Sequence, residues 1–355
     1  MRYLEREERE KTRGLWEEAF PGDSREFVDY YYRNKIADNR ILAEEEDGEV
    51  ISMVQLNPYR VQVRDREYGL DYIVGVATRE DRRHQGHMRR LLLQMLRDMR
   101  GAGTPFTFLM PAAEAIYRPF GFRYIFDQPH RAWKPAPVSG AGPVPGLTAE
   151  EIPSLDHPSP EAVRCLAAWQ QKFLSERYEV LAVRDESYIR RLMSELASEK
   201  GVWTLFRDEN GQAAAMESWW GLKEREQRFL YAPDSLTEET APPSPAIMAR
   251  ITCVEEFLKS ISLTGDAPVE SLRILMQIKD PLIPENDGKF LWVLDKVSSR
   301  AERMELPGEE EFDGEMTAEV EVLAEWLFGY RKPENLPDWA AWIRPLKGVF
   351  LDEVV

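Results

Sequence analysis

The sequence predicts a mixed α/β (α+β) architecture in three units, and three observations carry that expectation. Segments with apolar residues at helical spacing alternate with short runs of two-residue period, the pattern of helices packed on sheets. A Pro-, Gly- and Ser-rich stretch from Lys134 to Gly146 holds too little apolar content for a core element and reads as a linker. The 355 residues exceed a single core, and their 43% hydrophobic content is enough to fold two or three without metal or disulfide staples.

Taken in order, a first helix is expected from Arg6 to Phe20. A second, capped by Asp23 or Ser24, carries Phe27, Tyr30 and Tyr31. Strands follow, with a hairpin signal at Asp47-Gly48 and a charged turn near Asp65. The run "LDYIVGVAT" is a buried strand that stops at a charged turn, after which Met88, Leu91, Leu92, Met95, Leu96 and Met99 share one helix face. After the Gly101–Gly103 break come a strand, a short helix starting near Pro111, and "IYRPFGF". Beyond the linker, helices near Pro160–Leu174 and Ser187–Ser198 precede a hairpin centred on Asn210-Gly211. Its likeness to the Asp47-Gly48 hairpin suggests an internal duplication. "IMARITCVEEFLKSI" is expected to be a helix with Ile247, Ile251, Val254, Phe257, Leu258 and Ile261 on one face. Two strands, a helix in "TAEVEVLAEWLFGY" and a Pro-rich tail complete an α+β third unit. The expected boundaries are 1–134, a linker at 135–146, 147–244 and 245–355.

Several classes are disfavoured at this level. A net charge of -17 argues against nucleic-acid and anionic-membrane partners, which need clustered basic surface. Cys165 and Cys253 are isolated and read as reduced thiols. The charged start "MRYLEREEREKTRGLW" lacks the apolar segment of a signal peptide and no later run approaches a membrane span, so a cytoplasmic location is expected. His84 and His87 have no further ligands nearby, and no metal is expected.

The chemistry sits in the strand-to-helix turn. A helix N-terminus carries unsatisfied N–H groups and partial positive charge, Gly86 lets the backbone approach an anion, and Arg83 and Arg89 add charge. A pyrophosphate suits that arrangement. Together, "RHQGHM", a long amphipathic helix, a strand and "YRPFGF" resemble the GNAT superfamily of acetyl-CoA-dependent N-acetyltransferases. With "IMARITCVEEFL" and the "DENG" hairpin added, nearly the whole chain resembles the enhanced-intracellular-survival (Eis) type.

That resemblance implies a catalytic GNAT domain, a degenerate second GNAT-like domain without cofactor, and a C-terminal sterol-carrier-protein-like α+β domain whose tail returns to the active site, in a homo-oligomer of six. It implies that Ile73, Val74, Gly75 and Val76 flank the acetyl and pantetheine arm of acetyl-CoA. Arg83, His84, Gln85, Gly86, His87, Met88 and Arg89 would hold its pyrophosphate, with Ala112 and Ala113 alongside. Met88 stands where many GNAT proteins have Gly or Ala. Tyr117 is the implied general acid and the terminal carboxylate of Val355 the implied base. Glu17, Glu18, Phe27 and Tyr31, in the region bordering the acceptor cleft, together with Asp352 and Glu353 beside the base, are candidate contacts for a small aminoglycoside-like or polyamine-like cation. The expected reaction is direct acetyl transfer to an amine in a ternary complex. The alternative is a catalytically silent binding protein with an apolar ligand in its last domain.

Overall fold

The computed structural model describes residues 1–135, 144, 146–153, 155–304 and 311–353. Most of the expected linker, and Val355, lie outside these residues. Its largest sheet starts with β1 (Arg2–Tyr3), β2 (Arg40–Glu46), β3 (Glu49–Val63), β4 (Arg66–Thr78), β5 (Phe106–Leu109) and β6 (Arg123–Trp133). The hairpin between β2 and β3 closes on Asp47 and Gly48, both left-handed at φ 51° and 84°, as a two-residue turn requires.

Two-residue alternation along β2 and β3 gives this sheet two apolar faces. Ile41, Ala43 and Met53 meet helices α1 (Arg13–Ala19) and α2 (Arg25–Asn34). Leu42, Val54 and Leu56 meet α3 (His87–Gly101), through Leu91, Leu92, Met95, Leu96 and Met99. The expected first helix is split, because Arg6–Thr12 forms a 3-10 turn before α1. Ser24, not Asp23, caps α2: its Oγ accepts from the Phe27 N–H at 3.0 Å, while the Asp23 carboxylate takes the Trp16 indole N–H at 2.8 Å.

One expectation fails. Ile247–Ile251 is not helical but the end of a strand, Thr237–Ile251, that runs antiparallel between β5 and β6, with Met248 opposite Leu109 and Ile247 opposite Phe126. Helix is confined to Val254–Leu258. Residues 246–251 are all buried, and a short continuous apolar run reads alike as a helix or a central strand. The deciding pairing edges lie far upstream in sequence. The expected boundary at 244/245 falls inside this strand.

In the second unit, α5 (Pro160–Ser175) and α6 (Glu186–Ser198) accompany a four-stranded antiparallel sheet that includes the expected hairpin, Val202–Arg207 with Ala213–Trp220. The third unit has another four-stranded sheet, in which Ser271–Lys279 pairs in parallel with Gly314–Glu319, and a helix at Val320–Leu327. A short tail strand, Val349–Phe350, lies parallel to Val180–Ala182, which itself pairs with the end of β3. The three units are thus stitched to one sheet. Among the described residues no helix is long and apolar enough to cross a membrane.

Arg250 shows how tightly. Its side chain is 1% exposed; Nε donates to the Phe120 carbonyl at 3.0 Å, Nη1 to the Ile251 carbonyl at 2.8 Å, and Nη2 to the Asp280 carboxylate at 2.6 Å. The guanidinium lies over Gly121, where a Cβ would come within 2.8 Å of Nε. Asp280→Ala leaves that guanidinium buried and uncompensated, and should cost about 3–5 kcal/mol of stability in denaturant unfolding.

Candidate active site

β4 and β5 run parallel and are joined at a single bridge, Tyr72 to Phe108. Past it, residues Ile73–Val76 continue along β4 with a partner only on the β3 side. A bulge falls there: the register steps from Gln55–Val74 to Met53–Ala77, setting Gly75 and Val76 against Val54 alone. Gly75 has φ 56°, and a Cβ on it would meet Trp16 Cζ3 at 2.6 Å. Trp16 therefore fixes the bulge from beneath, and only glycine tolerates both the angle and the indole. The four β4 residues expected beside an acyl arm occupy this open edge.

At the end of β4 the chain makes a 3-10 turn, Glu80–Arg82, whose first N–H is taken by Glu18 Oε1 at 2.9 Å. Glu18 thus shapes the turn. His84 and Gly86 are left-handed at φ 64° and 79°, Arg83 is extended, and the loop they shape delivers the main chain to the start of α3, whose unpaired N–H groups form an anion cradle. Arg83, His84, Gln85, Gly86 and Arg89 are exposed. Arg83 touches only the Thr78 carbonyl, at 3.3 Å, and Arg89 lies 5.9 Å over the Phe120 ring; among the described residues neither has an acidic partner.

His87 and Met88 differ from the rest of the loop. The His87 ring is held by Glu44 and by Arg90, whose Nη2 is 2.8 Å from Nδ1, so only its main chain faces the cradle. Met88 packs against the α3 core. Where Gly or Ala would sit, a larger side chain fits because it points inward.

Tyr117 ends the short helix α4 (Glu114–Tyr117), packed edge-on against Phe122 at 6.0 Å in the same cluster as Ile73 and Leu109. Its side chain has no hydrogen-bond partner among the described residues, and burial pushes the phenol up to about 12, keeping it protonated. Ala112 and Ala113 are exposed between β5 and α4. Burial pushes the phenol of Tyr72, at the β4–β5 bridge, above its ordinary range, and the Glu353 carboxylate adds to the rise.

The expected acceptor residues are placed differently. Tyr31 is fully buried, its phenol 3.0 Å from Gln55 Oε1 and from Asn57 Oδ1 and accepting from Asn39 at 2.8 Å. It is a core group. Phe27 is buried against α1 and α2, although it edges an 800 Å³ cleft with Asp23, Glu199 and Trp220. Glu17 is exposed and paired with Arg13 at 2.8 Å. Asp352 and Glu353 are buried rather than facing open solvent: Arg184 Nη2 and Nη1 reach them at 2.6 and 3.2 Å, Tyr231 donates to Asp352 at 2.7 Å, and Tyr188 lies 3.1 Å from both Glu353 oxygens. Burial opposes ionisation of both. Arg184 and Arg228 nonetheless hold Asp352 below the usual carboxylate range, whereas Glu353 is raised above it. Arg184, Arg228, Glu195 and Tyr72 were not singled out in the sequence; the one local hint is an Arg closing the apolar run "EVLAVR". No group of three or more His, Cys, Asp or Glu suited to a metal occurs among the described residues.

Residues 1–125 match the acetyltransferase (GNAT) domain family, and residues 254–340 match the sterol carrier protein domain family. Residues 1–125 form a GNAT acetyltransferase domain. The fold of nearly the whole chain recurs in similar solved structures. A probable N-acyltransferase from Enterococcus faecalis V583 shares 16% identity over 97% of this chain and 93% of its own, at TM-score 0.75. A GCN5-related N-acetyltransferase from Anabaena variabilis ATCC 29413 shares 15% over 97% and 94%, at 0.69. Eis1 from Mycobacterium abscessus shares 13% over 99% of both chains, at 0.67. Identities this low establish the common fold. No curated protein sequence matches. With its GNAT domain the chain is an N-acetyltransferase of that type.

Gly75→Ala places a methyl group against the indole in a strained backbone. It should cost about 1–3 kcal/mol in denaturant unfolding and shift the tryptophan emission.

Proposed function

We propose that the chain transfers an acetyl group directly from acetyl-CoA to the amine of a small cationic acceptor, within a ternary complex. The observation that carries this reading is the open β4 edge, bounded by the anion cradle at residues 83–89 and by a buried phenol whose hydroxyl has no hydrogen-bond partner among the described residues.

The residues fit the donor substrate part by part. Main-chain N–H groups of the cradle, with Arg83 and Arg89, would hold its diphosphate. The free edge of Ile73–Val76 would bond its extended arm as an added strand does, and N–H groups at the bulge would polarise the thioester carbonyl. As the amine forms its bond to the acetyl carbon and the carbon–sulfur bond breaks, Tyr117 donates to the departing sulfur. The proton lost by the amine passes, directly or through water, to a base. The chain's net charge of -17 favours approach of a cationic amine.

Tyr117→Phe should lower kcat by about a hundredfold or more while leaving the KM for acetyl-CoA within about twofold, measured as CoA release. The phenol is protonated below its raised pKa, about 12, and loses that proton only above it. Between pH 8 and about pH 10 kcat should therefore show no decline traceable to Tyr117. An unchanged kcat in Tyr117→Phe would remove the phenol from the mechanism.

A further inference from the structure

A carboxylate stands beside the anion cradle, where charge alone would keep one away. Leu42 and Glu44 lie two residues apart on β2 and so share the face that meets α3, which carries Glu44 to the first turn of that helix. Its side chain is 12% exposed and engages two residues of α3: the His87 ring, and Arg90, whose Nε and Nη2 reach its two oxygens at 2.9 Å each. Arg90 holds the carboxylate below its usual range, so the forked pair is intact at neutral pH. The pair is neutral. It therefore neither repels a diphosphate nor attracts one, although the Arg90 side chain, 49% exposed, is a cation within the first turn of the helix.

What the pair does is visible in the carbonyl groups of the loop. Arg90 takes two consecutive ones: its main-chain N–H donates to the Gly86 carbonyl at 3.1 Å, and its Nη1 to the Gln85 carbonyl at 3.1 Å. A Cβ on Gly86 would lie 3.5 Å from Nη1, so the guanidinium packs against the glycine itself. With these carbonyls held, the four N–H groups from Gly86 to Arg89 have no main-chain partner among the described residues and are the ones left for an anion. Without the brace the Gln85 peptide is free to turn, and a carbonyl oxygen swung toward a diphosphate opposes its binding. Arg83 and Arg89 differ from Arg90 in having no acidic partner among the described residues.

We infer that Glu44 and Arg90 are a positioning pair for the donor loop: Glu44 fixes the guanidinium, the guanidinium fixes the Gln85 and Gly86 carbonyls, and the cradle is set before acetyl-CoA arrives. The inference rests on the donor-site reading of residues 83–89. It reverses the sign expected from charge, since removing an acid beside an anion site would otherwise tighten binding.

Calorimetric titration of the full chain with CoA over a range of salt concentrations, with denaturant unfolding of each variant alongside, tests it. Glu44→Gln and Arg90→Gln should each weaken CoA binding by about tenfold or more, because a loop that must be ordered on binding loses affinity without losing a phosphate contact. Their unfolding midpoints, and the slope of log Kd against log salt, should match the wild type. Arg90→Lys keeps the charge but not the fork and should not restore affinity. Unchanged or tighter binding in Glu44→Gln, a flatter salt slope in Arg90→Gln, as for a lost phosphate contact, full affinity in Arg90→Lys, or affinity lost only in step with the unfolding midpoint would each overturn the inference. A wild-type chain that binds no CoA would sink the donor-site reading and this inference with it, whereas variants that match a CoA-binding wild type sink this inference alone.

Discussion

Two parallel strands that meet at one bridge, Tyr72 to Phe108, leave a stretch of main chain with hydrogen-bonding capacity and a neighbouring strand on the β3 side alone. Such an edge is costly to leave open and is usually paired or covered. Here the surrounding structure keeps it open. Trp16 sits against Gly75 and holds the bulge, α3 packs under Ile73, and β5 is occupied on its other side by the Thr237–Ile251 strand, so it cannot slide across to close the gap.

That last strand ties the opening to the whole chain. It leaves the second unit, crosses the first sheet, and carries Arg250, which braces the Phe120–Gly121 turn just after Tyr117 and reaches Asp280 in the third unit. The tail adds a second tie through Arg184, Asp352 and Glu353. Buried ion pairs of this kind add little net stability compared with apolar packing, because desolvation offsets the attraction, but removing one partner is expensive. They fix position.

Local features were legible in the sequence because local forces decide them. Asp47-Gly48 has the two residues that tolerate left-handed φ, Met88 to Met99 have a clear helical period, and Gly86 stands at the junction of strand and helix. What escaped was non-local. Whether Ile247–Ile251 is helix or strand depends on edges contributed by β5 and β6, and whether Asp352 and Glu353 face solvent depends on Arg184 and Tyr231 in another unit. Tyr31 was a candidate acceptor contact in the sequence; its burial as a core group goes with polar partners on β3 and at Asn39 that no spacing rule connects to it.

Hydrogen–deuterium exchange of the intact chain with and without CoA tests the central claim most directly, since it reads the main-chain N–H groups themselves. The account requires strong added protection at residues 73–76 and 83–89, with α5 and the Ser271–Lys279 strand unchanged. Binding of CoA that leaves both of those segments exchanging as before, or that protects only the sterol carrier domain, would contradict it.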